Sequence, residues 1–177
     1  MIDLTTGDVR ILERGGCASP SVDKTRVAWI PGPSTRNAVW ALDLRSLEKR
    51  KLTGDMAAGC LSWSPDRRRI AATVIAARAR TVAWGDILII ATDTGRTEQA
   101  ISDEDLMIGQ PSWNPDSQRL VFAVYKLEVF RTGPNPTDIG FDVPVSRVDM
   151  FDLRDRRRPE SFQMPREAYV LAMRSML

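Results

Sequence analysis

Three aspartates recur in one setting: Asp23 in SPSVDKTRVAW, Asp66 in SWSPDRRRIAA and Asp116 in SWNPDSQRLVF. Carboxylates repeated in this way could ring a calcium ion or act as acid and base. Their separations of 43 and 50 residues instead put one in each of three separate turns. There Asp accepts hydrogen bonds from nearby backbone N–H groups, so capping explains them better than metal binding. No metal site, no cofactor and no catalytic residue is expected.

Two thiols invite a second chemistry. Cys17 and Cys60 stand just before the first two of these phrases, with Gln110 as the third counterpart. Equivalent places on adjacent repeats are usually further apart than the ~7 Å that a disulfide allows between Cα atoms. Two small buried thiols near a channel are therefore expected, with a disulfide or a metal pair as the minority reading. The sequence contains no histidine. That removes a Ser-His-Asp triad, a Cys-His pair and every His-containing zinc site from within this chain, which is read as non-enzymatic.

The basic clusters Arg67-Arg68-Arg69, Lys49-Arg50-Lys51 and Arg154 to Arg158 lie beside acidic residues on predicted turns, and read as a solvated rim. A net charge of +2, with 43% hydrophobic and 27% charged residues, is too mild to require a nucleic-acid or membrane partner. No stretch approaches the ~20 apolar residues of a membrane helix. The start, MIDLTTGDVRIL, lacks the basic and apolar regions of a signal peptide. At face value the chain stays in the cytoplasm; as a piece of a longer exported protein it would be periplasmic or extracellular.

The elements that hold these residues are themselves repeated. Ser19, Ser62 and Ser112 open the three phrases, and Arg26, Arg69 and Arg119 close their turns. A second phrase recurs out of phase: MIDLTTG at 1–7, ALDLRSL at 41–47, IIATDTG at 89–95 and MFDLRDR at 150–156. Its offsets of 40, 48 and 61 residues describe a unit of forty-odd residues with insertions, the size of a propeller blade.

Each unit reads as four short strands. The apolar runs Ile70 to Ile75 and Leu120 to Tyr125 suit a strand covered on both faces. Ile87 to Ile90 gives a third strand, and the polar run Arg96 to Ile101 a solvent-facing fourth whose charges discourage further pairing. Pro65 and Pro115 fix φ at the second position of a tight turn before Asp66 and Asp116. Trp63 and Trp113 are expected to end the first strand and pack between units. Pro20 and Val22 replace the Trp and the Pro in the first copy.

On these residues the chain resembles the TolB-type, WD-repeat-like β-propellers. Blades of that family carry a W-S-P-D-G-x-x-I/L-A/V-F phrase followed by a D-x-x-T-G turn. The resemblance covers about residues 1–163, well in the second and third copies and loosely in the first. It departs where Lys24, Arg67 and Ser117 occupy the place of the family's Gly, putting the turn geometry in question. It implies an all-β chain, a β-propeller of four-stranded antiparallel blades. Residues 1–12 would be the outer strands of a partial blade, 13–54 blade 1, 55–104 blade 2, 105–164 blade 3 and 165–177 a tail or closing strand. A piece of a longer propeller is favoured over a four-bladed ring closed by the two chain ends, and an open ring could self-associate.

The third unit breaks the pattern with an insertion over 126–146. Phe130, Arg131, Asn135, Asp138 and Phe141 in it, with Trp84 beside a smaller insertion in the second unit, are the candidate partner-binding residues. The competing reading is an extended hairpin whose aromatics pack on the blade. The resemblance implies a scaffold for a protein or peptide partner, TolB-like. The alternative it implies is the gate or substrate filter of a prolyl oligopeptidase-like serine peptidase, whose hydrolase domain is absent from this chain.

Overall fold

The computed structural model describes residues 15–31, 38–74, 85–102, 106–126, 128–131, 133–134, 139–142, 145–155 and 160–162. Every regular element among them is a strand. The first blade comprises β1 (Gly16–Pro20), β2 (Arg26–Ile30), β3 (Trp40–Asp43) and β4 (Lys49–Lys51), antiparallel and in chain order. The second repeats this with β5 (Ala58–Trp63), β6 (Arg69–Val74), β7 (Asp86–Ala91) and β8 (Thr97–Ser102).

In the third blade the innermost strand is split into β9 (Leu106–Ile108) and β10 (Ser112–Trp113), both paired with β11 (Arg119–Lys126). The insertion then forms a separate two-stranded hairpin, β12 (Glu128–Arg131) with β13 (Ile139–Asp142). The blade resumes with β14 (Val145–Asp152) and ends in β15 (Glu160–Phe162).

The near-continuous apolarity of the second strands has a direct cause. Ile70 and Ala72 of β6 pack toward blade 1 with Ala28, Ile30, Leu61 and Trp63. Ala71, between them, packs toward blade 3 with Ile87, Leu120 and Phe122. Alternate residues of β6 thus fill two different cores, because the sheet of blade 2 is sandwiched between those of blades 1 and 3. The outer strands β4 and β15 are exposed throughout, and β8 at its first three residues, as befits charged edges. Residues 1–14 and 163–177, which hold the expected partial blade and tail, lie outside the described residues.

The turns after the inner strands share one hydrogen-bond frame. Lys24 N–H donates to Ser21 O, Arg67 N–H to Ser64 O and Ser117 N–H to Asn114 O, each at 2.9 Å. All three donors are left-handed, with φ of +57°, +63° and +59°. The family's Gly position therefore keeps its geometry without Gly, at the cost of crowding Cβ against the backbone. Lys24→Gly is expected to raise stability by ~0.5–1 kcal/mol through relief of that crowding. Ser117→Gly should instead destabilise by ~1 kcal/mol, because the Ser117 hydroxyl accepts the Asp66 N–H at 2.9 Å and that donor would lose its partner. Thermal melts of the two variants check the opposite signs.

Candidate functional site

The three Asp turns lie on one face and join the blades. Asp23, Asp66 and Asp116 each accept a hydrogen bond from the backbone N–H two residues on, at 3.3, 3.0 and 2.8 Å. Ser21 and Ser64 hydroxyls add bonds of 2.7 and 2.6 Å to the first two carboxylates, while Arg119 grips the third through Nε and Nη2. Between blades, Arg67 pairs with Asp23, and Arg69 Nη2 donates to Ser117 O at 2.6 Å while its guanidinium lies 5.4 Å from the Trp113 ring centroid. The Trp113 indole N–H reaches back to Ser62 O at 2.9 Å.

These carboxylates are spent on turns and neighbouring blades. No group of three or more Cys, Asp or Glu among the described residues could hold a metal ion. The bonds also hold the carboxylates ionised. The Ser21 hydroxyl keeps Asp23 well below the usual range, and the Arg154 guanidinium does the same for Asp152. The Gln118 N–H lowers Asp116; for Asp66 burial is the largest single influence and works the other way, but the Ser64 hydroxyl, the Arg68 N–H and the charges of Arg69 and Arg68 together outweigh it. With folded values below unfolded ones, their stabilisation is full above the unfolded carboxylate pKa of ~4 and fades as pH falls through the lower folded values. Melting temperature should therefore be flat from pH 7 to about 5 and drop progressively below about 4. A loss already complete at pH 5 would contradict this assignment.

The opposite face is where the third blade's insertion begins. Because equivalent turns of successive blades touch one another, the blades run in the same sense, and the connections leaving β6 and β11 emerge at the end away from the Asp turns. Phe130 and Arg131 fall in β12 and Phe141 in β13, with Phe130 paired to Gly140, Arg131 to Ile139 and Phe141 to Val129. The two phenylalanines thus occupy neighbouring rungs of one hairpin. Asn135, Asp138 and Trp84 lie outside the described residues.

On this same side the inner strands are irregular in all three blades. Pairing of β1 with β2 skips two residues between Gly16 and Ser19, and pairing of β5 with β6 skips two between Ala58 and Leu61. In blade 3 the corresponding stretch, Gly109 to Pro111, separates β9 from β10. Cys17, Cys60 and Gln110 occupy these three irregularities. The expectation of two buried thiols is corrected here. Cys17 is exposed and Cys60 is only half-buried. The strands that carry them adjoin, with the Trp63 N–H donating to Ser19 Oγ at 3.4 Å.

A cleft of about 400 Å³ opens between blades 1 and 2. It is lined by Arg26, Asp43, Glu48 and Arg50 from the outer part of blade 1 and by Thr92 and Asp93 from the turn of blade 2, with Trp63 at its floor. Arg50 donates across it to Thr92 O. The indole Nε1 of Trp63 is buried without a partner among the described residues, unlike that of Trp113. No local phrase marks this cleft, since its walls come from two repeats.

No protein-family model and no curated protein sequence matches this chain. Solved structures do resemble it. A protein assigned as TolB from Agrobacterium tumefaciens superposes with a TM-score of 0.62 at 19% identity, over 86% of this chain and 51% of that one. Oligogalacturonate lyase from Vibrio parahaemolyticus gives 0.63 at 14% identity, over 93% and 47%. The β-propeller domain of the trilobed protease from Pyrococcus furiosus gives 0.58 at 17%, over 86% and 43%. The chain spans about half the length of the first two. Four-stranded antiparallel blades, their stacking through shared cores and these likenesses together give the chain a TolB-type β-propeller fold of about three blades.

Proposed function

We propose that the chain is a non-catalytic propeller scaffold that binds a protein or peptide partner through the face carrying its insertions. The observation that carries this reading is the β12–β13 hairpin, which among the described residues forms a two-stranded sheet of its own and is added where the repeat needs only a short connection. A rigid sheet stack holding an extra hairpin at one face is a common arrangement for recognition. Phe130 and Phe141 serve as apolar anchors, with Arg131 beside them. Nucleic acid and membrane are not the partners in this reading, because the exposed arginines Arg67 and Arg154 are already paired with Asp23 and Asp152.

Peptides selected on the wild-type chain from a displayed random library test the reading. Replacing residues 127–144 by an Asn-Gly turn should leave the melting temperature near that of wild type and weaken the selected peptides at least about 10-fold, a loss of ~1.4 kcal/mol. Unchanged binding by that variant would sink the assignment of the face.

The second reading makes the chain the gate or substrate filter of a larger peptidase. It is supported by likeness to an acylaminoacyl peptidase from Pyrococcus horikoshii, at 17% identity and a TM-score of 0.58, over 25% of that enzyme. A Gly-x-Ser-x-Gly elbow and a His encoded further along the same reading frame would favour it over a free-standing scaffold.

A further inference from the structure

The junction between blades 1 and 2 is joined differently from that between blades 2 and 3. At the second junction Gln110 Nε2 donates to Leu61 O at 3.3 Å, an ordinary hydrogen bond between inner strands. At the first, Cys60 takes the place of Gln110, the adjoining strand carries Cys17, and the Trp63 N–H donates to Ser19 Oγ at 3.4 Å across the same seam. Each sits in a bulge, Cys17 between Gly16 and Ser19 and Cys60 between Ala58 and Leu61. Bulges re-aim side chains and are over-represented beside functional sites.

Cys17 is also left-handed, with φ +48°. A residue with a Cβ adopts that conformation at a cost, and Cys is not among the types that do so readily. The bulge itself accounts for that conformation, since one bulge type takes a left-handed first residue, usually Gly; Cys standing where Gly is the ordinary choice points to a use for the side chain. On the other strand, the Cys60 N–H left over by the bulge donates to Thr73 Oγ1 at 2.8 Å, and Thr73 is fully buried. That bond fixes the Cys60 backbone in place.

We infer that Cys17 and Cys60 form a reversible disulfide that staples blade 1 to blade 2, made when the chain meets a hydroperoxide and undone by a small-molecule thiol. This inference stands apart from the partner-binding proposal, since it uses none of the hairpin residues.

The two thiols have distinct parts. Cys17 is exposed and meets the oxidant first. Burial pushes the Cys60 thiol up, the neighbouring Cys17 adds to this, and the Thr73 hydroxyl pulls the other way, so Cys60 stays protonated until it is needed. The Cys17 thiolate attacks one oxygen of hydrogen peroxide; the O–O bond breaks, hydroxide leaves, and Cys17 becomes a sulfenic acid. The Cys60 sulfur then attacks the Cys17 sulfur as its proton passes to the departing hydroxyl, and the S–O bond breaks to release water. Two thiols and one peroxide give one disulfide and two waters, two electrons passing from sulfur to oxygen. A dithiol reverses the step by exchange, ending oxidised itself.

The test uses the full chain, reduced and then exposed to a small excess of hydrogen peroxide. Peptide mapping should find Cys17 linked to Cys60 within one chain, and dithiothreitol should restore both free thiols. Cys60→Ser should stop at the sulfenic acid, trapped at Cys17 by dimedone, whereas the wild type gives little trapped product. The cross-link closes 43 residues of chain and is expected to raise the melting temperature by roughly 10 °C. Thiols that both survive peroxide, disulfides found only between chains, or an oxidised protein that melts where the reduced one does would each overturn the inference. Because the wild-type chain itself supplies the mapping result, a variant that fails to fold does not remove the test.

Discussion

Trp63→Ala is expected to lower stability by ~3–5 kcal/mol and the melting temperature by roughly 10 °C. Trp63 ends the inner strand of blade 2, is 5% exposed, and packs in one core with Ala28, Ile30 and Val39 of blade 1 and Ile70 and Ile90 of its own blade. Removing the ring leaves a cavity that two sheets must close from opposite sides, and the sheet of blade 2 relaxes poorly because its other face is already packed against blade 3. Trp63→Phe should cost far less. The lost indole N–H has no partner among the described residues, so its removal gives up no hydrogen bond seen there. Urea denaturation of both variants checks the ordering; an alanine variant as stable as the phenylalanine one would show that the blade junction collapses freely.

Gly95→Ala is expected to destabilise by at least ~2–3 kcal/mol, a large effect for one methyl group on a surface turn. Two causes add. Gly95 has φ +75°, where a Cβ meets its own backbone. The added Cβ would also lie 2.1 Å from Leu52 O and 3.2 Å from Leu52 C, which belong to the segment joining blade 1 to blade 2. Backbone cannot swing aside as a flexible side chain can, so the two blades would have to separate. Leu47 provides the internal control: it holds the same place in the turn of blade 1, is left-handed at φ +59°, and carries its side chain 37% exposed. Turn conformation alone therefore tolerates a side chain here. The penalty at Gly95 beyond that of Leu47 measures the contact with Leu52, and a melting temperature for Gly95→Ala within a few degrees of wild type would show that contact to be soft.

Much of this was legible in residue order because it is local. The Ser-Pro-Asp phrase encodes a turn whose hydrogen bonds span two to five residues, from the Asp66 carboxylate to the Arg68 N–H and from the Arg69 carbonyl to the Ser64 N–H. The double-sided apolarity of β6 announces a strand covered on both faces before any sheet is seen. The departure from Gly at Lys24, Arg67 and Ser117 was visible too, but whether the turns would keep positive φ was not, since bonds from Ser117 to the neighbouring blade help to hold that turn. The candidate site was less legible. The insertion in blade 3 was found as a break in the repeat, and the structure gives it a hairpin, yet no spacing marks the cleft at Arg26, Asp43 and Asp93.

The cysteines separate the two sources of information most clearly. By itself the sequence determined a tandem of blades, their four-strand order, the capping role open to each Asp, and the equivalence of Cys17, Cys60 and Gln110. Only the tertiary structure decided that Cys17 and Cys60 stand on adjoining strands at one seam. Equivalence along the chain sets where a residue stands in its own blade, whereas distance between blades depends on how the sheets stack and on the bulges in β1 and β5. A bulge sets two residues of one strand against one of its partner and so puts the side chains on either side of it out of step, a change fixed by pairing between strands. Contacts within a turn follow from a few neighbouring residues; contacts between blades follow from packing that all of them share.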